Sequence, residues 1–96
     1  MIPNQKDLKN MLTILKMLQD ETRLKIVFSL MNNKKCVSEI VELVGKTQSA
    51  ISHQLRDMKD SRLINSQRQG NKIYYSIADE HVKKVVKLCL AHAQEF

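Results

Sequence analysis

Leu8, Met11, Leu12, Leu15 and Leu18 recur at the i, i+3, i+4, i+7 spacing of an amphipathic helix. Ile14 and Met17 widen the apolar surface toward a second side, so this first helix suits a partner on each face. Asp20 can cap a second helix, in which Leu24, Val27, Phe28 and Met31 repeat the spacing until Asn32-Asn33 interrupts it. A short third helix holds Ile40, Leu43 and Val44. Gly45 then suits a left-handed C-terminal residue and Thr47 a new N-cap, so the third and fourth helices are joined by a tight turn. The fourth helix, Thr47 to about Asp60, buries Ile51, Leu55 and Met58 and turns Gln48, Ser49, Ser52, His53 and Arg56 outward. The pattern then changes period. Leu63 to Arg68 and Lys72 to Ile77 read as strands, the second alternating Ile73, Tyr75 and Ile77, with Gln69-Gly70-Asn71 as the hairpin turn. A last helix starts at Asp79 and runs nearly to the end.

The order α-α-α-α-β-β-α predicts an α+β, mostly helical winged helix-turn-helix, a single domain over residues 1–96. A chain of 96 residues with two cysteines leaves apolar surface uncovered, which favours a homodimer through the first and last helices. No stretch approaches the roughly 18 apolar residues of a membrane span, and the first residues lack the apolar core of a signal peptide. The expectation is a soluble cytoplasmic protein with no membrane partner.

The formal net charge of +6 favours a polyanionic partner. The fourth helix supplies what a reading helix needs in the major groove: Gln pairs bidentately with adenine, while Ser and His reach base edges or phosphates. Arg68, Gln69, Gly70, Asn71 and Lys72 form a basic hairpin tip suited to backbone phosphate or the adjacent minor groove. Double-stranded DNA is the expected partner. A dimer would read an inverted repeat in major grooves about 34 Å apart.

The stretches DETRLKIVFSL, QSAISHQLRDMKDSRL and RQGNKIYYSI resemble the ArsR/SmtB family of bacterial metal-responsive winged-helix repressors. The resemblance covers nearly the whole chain and implies the same roles for the fourth helix and the hairpin. Arg62 departs from the pattern, standing where many relatives have Gly. A positive φ there adds strain of about 1 kcal/mol.

Asp79, His81, His92 and Glu95 mark the last helix. Eleven residues of ideal helix leave the two imidazoles about 20° apart in azimuth but roughly 16 Å apart along the axis. Zinc holds nitrogen ligands at about 2.0–2.1 Å, so one unbroken helix cannot bring both to one ion. Two antiparallel copies can, pairing Asp79 and His81 of one with His92 and Glu95 of the other. Two nitrogens and two carboxylate oxygens suit tetrahedral Zn(II) or Co(II). Asp-x-His followed after ten residues by His-x-x-Glu also resembles the last-helix motif of the family's zinc sensors. Val85 and Leu88 share the face and form the apolar part of the seam.

Cys36 and Cys89 leave an alternative open. Cys36-Val37-Ser38 lacks the second thiol of the family's Cys-x-Cys pattern for thiophilic metals, and the alternatives for Cys36 and Cys89 are buried apolar packing or, as the resemblance to thiol-sensing relatives implies, pairing in a redox or persulfide sensor. No nucleophile, base or substrate loop marks an enzyme. The expected function is a repressor that binds its operator when metal-free and releases it on binding zinc, the controlled gene serving metal export or sequestration as the resemblance implies.

Overall fold

The computed structural model describes residues 1–96 and builds eight elements. They are α1 Gln5–Leu18, α2 Glu21–Ser29, β1 Lys35–Cys36, α3 Val37–Val44, α4 Gln48–Asp60, β2 Ile64–Gln69, β3 Lys72–Ile77 and α5 Glu80–Ala93. Each longer helix begins where a short polar side chain takes an orphan backbone donor. Asn4 accepts from the Asp7 N–H at 2.8 Å, Asp20 from Arg23 at 3.0 Å, Thr47 from Ala50 at 3.1 Å and Asp79 from Val82 at 3.1 Å. α3 ends on Gly45 at φ +84°, whose N–H donates to the Val41 carbonyl at 2.8 Å. That left-handed residue turns the chain within three residues into α4.

Ile26, Val27 and Leu30 from the α2 region, Ile40 from α3, and Ile51, Leu55 and Met58 from α4 form the core. Leu63, Ile64 and Ile77 close it from the hairpin, and Val86 from α5. β2 and β3 pair antiparallel from Ile64 opposite Ile77 to Gln69 opposite Lys72, so the loop is the two residues Gly70 and Asn71. Gly70 has φ +66° and Asn71 a negative φ, the pattern of a type II′ turn matched to strand twist.

Several boundaries differ from the sequence expectation. A two-residue strand, β1, pairs with β3 through Lys35 opposite Tyr75 and Cys36 opposite Tyr74, giving a three-stranded sheet in the order β1-β3-β2. Two residues carry no hydrophobic period, so only tertiary pairing defines this strand. β2 begins at Ile64 because Leu63 donates back to the Met58 carbonyl at 3.0 Å and belongs to the helix end. α2 stops at Ser29, leaving Met31 outside it. Phe28 and Leu43, assigned to apolar stripes, are 41% and 62% exposed.

The two outer helices contribute little to this core. α1 has no buried residue and α5 has only Val86. Met11, Leu12, Leu15, Val85, Leu88 and Leu90 remain exposed. Between α1, α2 and α5 lies an open apolar groove of about 400 Å³ whose lining includes Leu15, Leu24, Phe28, Val85 and Leu90. No helix is long and apolar enough to cross a membrane.

Candidate DNA-reading face and metal half-sites

The burial of Ile51, Leu55 and Met58 fixes the roll of α4 about its own axis. Gln48, Ser49, Ser52, His53 and Arg56 consequently all lie on its exposed side. Arg56 Nη2 lies 3.0 Å from His53 Nδ1, and His53 Nε2 lies 3.5 Å from the Asp57 carboxylate. The guanidinium can only donate, so this contact requires an unprotonated Nδ1.

The hairpin tip stands beside the start of α4. Gln48 and Ser52 share with Asn71 and Lys72 a cleft of about 390 Å³, floored by Cys36 and Ser38 at the start of α3. Arg68, Gln69 and Gly70 complete the exposed tip. Gln48 and Ser52 of the expected reading residues and Asn71 and Lys72 of the wing are thus brought onto one surface. Sequence reasoning missed Lys34 and Lys35, which β1 brings beside strand β3. β1 pairing places Lys35 opposite Tyr75 of β3, and the Lys34 ammonium lies 5.4 Å from the Tyr74 ring centroid. The Lys-Lys doublet was visible in sequence, but the edge pairing that carries it to the wing was not.

Glu39, one turn into α3, accepts from the Cys36 N–H at 2.9 Å. That hydrogen bond, the adjacent Cys36 thiol and the charges of Lys35 and Lys72 hold its carboxyl below the usual range. A carboxylate at a helix start also complements the dipole.

α5 runs unbroken through both His81 and His92. Its length keeps the two rings apart, and no three potential metal ligands converge within the chain. Each ring instead has its own carboxylate. His81 Nδ1 lies 3.6 Å from Asp79 Oδ1, and His92 Nδ1 lies 3.9 Å from Glu95 Oε1. Glu95 stands just past the helix end, held by its N–H to the His92 carbonyl at 3.1 Å rather than by a further turn of helix. Ligands of a tetrahedral zinc are separated by about 3.3–3.4 Å, the edge that follows from bonds near 2.05 Å. Both pairs are within reach of that spacing, and all four side chains are exposed. Asp79 Oδ1, the oxygen 3.6 Å from His81 Nδ1, also accepts the N-cap bond from Val82, and a carboxylate oxygen can keep that bond while ligating an ion.

The two thiols are not brought together. Both are free; Cys36 is buried beneath the reading cleft, whereas Cys89 lines the apolar groove, and the two cavities share no residue.

Comparison with known proteins adds to this geometry. Residues 20–66 match the model of the bacterial regulatory protein, arsR family. The chain is 36% identical to the Transcriptional repressor SmtB homolog of Synechocystis sp. over 81% of its own length, spanning 59% of that protein. It is 32% identical to the Cadmium resistance transcriptional regulatory protein CadC homolog of Staphylococcus aureus, covering 85% of this chain and 69% of that one. Among solved structures, a homodimeric winged helix-turn-helix DNA-binding domain from Mycobacterium bovis superposes with a TM-score of 0.88 at 27% identity, covering 98% of this chain and 89% of that one. Capped tandem helices, a basic wing and these matches together place the chain in the arsR family of bacterial regulatory proteins.

Proposed function

We propose that the chain is a cytoplasmic, homodimeric, zinc-responsive transcriptional repressor, bound to an inverted-repeat operator when metal-free and released when metal binds. The observation that carries this reading is the pair of nitrogen-oxygen half-sites at opposite ends of one unbroken α5. Asp79 and His81 of one subunit and His92 and Glu95 of a second copy hold the ion where two α5 helices pack antiparallel. Zn(II) or Co(II) bound there supplies a tetrahedral link between subunits. Cys36-Val37-Ser38 provides one thiol only, which argues against a thiophilic ion at α3.

The exposed apolar residues of α1 and α5 support the dimer, since burying them removes surface that the core of one chain leaves wet. Gln48, Ser49, Ser52, His53 and Arg56 then read bases or phosphates, while Arg68 to Lys72 contact the backbone. Occupancy of the α5 sites favours a dimer geometry that presents the two α4 helices less well. A coupling of about 1–3 kcal/mol changes operator affinity by about 5- to 150-fold, and DNA weakens metal binding by the same factor.

Operator affinity with and without zinc tests this, repeated for His81→Ala and for Cys36→Ser/Cys89→Ser. Loss of the zinc response in the histidine variant alone is expected. Loss in the cysteine variant alone refutes the assignment and favours thiol-based sensing.

A further inference from the structure

We propose that Arg23 is a positioning residue that locks the reading helix α4 to the end of the dimer helix α1. The helical carbonyls in the last turn of α1 have no intrahelical donor, and a charged side chain there satisfies one of them and complements the dipole. Arg23 Nε donates to the Met17 carbonyl at 2.7 Å. The same guanidinium donates through Nη1 to Gln54 Oε1 of α4 at 3.0 Å. Its own backbone N–H is tied to the Asp20 cap at 3.0 Å, so the side chain springs from a fixed first turn of α2.

This contact differs in kind from the others. Of the side-chain hydrogen bonds in the chain, Arg23 to Gln54 alone joins residues more than six positions apart. α1 buries no residue of its own; Met17 and Leu18 pack partly against the core, and the Arg23 bond is the polar tie at that end. A shift of α1 on its partner therefore reaches the body of the molecule largely through this end. Gln54 follows His53 in sequence and occupies the half-buried flank of α4 between the core face and the reading face. Pulling on it rolls or tilts the helix that presents Gln48 and Ser52. A planar guanidinium can serve two acceptors in fixed directions at once, and an ammonium on a flexible stem cannot do so with the same geometry.

The inference rests on the proposed dimeric repressor and adds the route by which a change at the dimer face reaches the reading face. A duplex selected from a randomised pool by the wild-type protein serves as probe. Its affinity is measured for wild type, Arg23→Lys, Gln54→Ala and the double variant, each with and without zinc, alongside dimer mass and thermal midpoint. Each single change is expected to weaken metal-free DNA binding about tenfold, with the double variant no weaker than the worse single one. The ratio of affinities without and with zinc is expected to shrink in all three. Unchanged affinity, losses that multiply in the double variant, or a zinc ratio equal to that of wild type overturns the proposal. Multiplying losses also identify Gln54 as an independent DNA contact. If Arg23→Lys lowers the thermal midpoint, Gln54→Ala keeps the bond to Met17 intact and decides through affinity and zinc ratio. If wild type shows no zinc response, the zinc-sensing reading fails, and the affinity cycle alone still decides the role of Arg23.

Discussion

Arg62 is the chain's one non-glycine residue with positive φ, at +64°. Its N–H reaches the Lys59 carbonyl at 3.0 Å, and the following Leu63 N–H reaches Met58, so the left-handed residue ends α4 and turns the chain into the wing. A Cβ in that conformation costs about 1–2 kcal/mol, partly offset in glycine by its larger loss of chain entropy on folding. Arg62→Gly is therefore expected to stabilise the protein by about 0.5–1 kcal/mol, read as a rise in thermal midpoint of a few degrees. A fall in midpoint would show that the Arg side chain makes a contact worth more than the strain. The departure from Gly was legible only through the family resemblance, since nothing in Asp60-Ser61-Arg62-Leu63 by itself marks Arg62 for positive φ. The reach of Arg23 could not be read, since a charged residue in an amphipathic helix looks like any solvated one until the packing of α4 is known.

At the scale of elements, the caps carried most of the legible information. Asp20, Thr47 and Asp79 each accept the hydrogen bond their position called for, and Gly45 and Gly70 adopt the positive φ that their turns need. β1 escaped because its two residues have no alternation, and Glu95 fell beyond the helix because α5 ends at Ala93. The α3 start gives a test of local electrostatics. The folded state holds Glu39 below its ordinary value of 4.5, because the Cys36 N–H, its thiol and nearby lysines favour the carboxylate. A depressed acid contributes stability that is complete above the unfolded value and fades as pH falls through the folded one. Glu39→Gln should lower the thermal midpoint at neutral pH, and the gap from wild type should close on acidification below pH 4.5. A gap independent of pH would assign the loss to hydrogen-bond geometry rather than charge.

For the whole molecule, only 12 of 96 residues are buried, and the apolar side chains left over concentrate on α1 and α5. Val85 and Leu88 are 47% and 71% exposed, on the face that also carries His81 and His92. The proposed seam along α5 would account for all four at once, joining the apolar pattern to the proposed metal site. Placing a charge in it, as in Leu88→Glu, is expected to weaken dimerisation by about 2 kcal/mol or more, roughly thirtyfold, with little change in the secondary structure of each chain. Sedimentation across a concentration series reads the shift to monomer. A dimer of unaltered stability would put the interface elsewhere. The two His–carboxylate pairs of the proposed half-sites could be read in the sequence from spacing and from the family resemblance, whereas the antiparallel pairing that would complete them involves a second chain that no single sequence displays.

The most direct test mixes two defective proteins. His81→Ala and His92→Ala homodimers should each lack a tight zinc site, but a heterodimer of the two unites the intact His81 of one chain with the intact His92 of the other. Random reassociation makes about half the dimers mixed, so tight zinc binding should return to about a quarter of the wild-type capacity. If mixing restores none, or if either variant alone binds zinc as wild type does, the ion is not shared between the last helices of two chains.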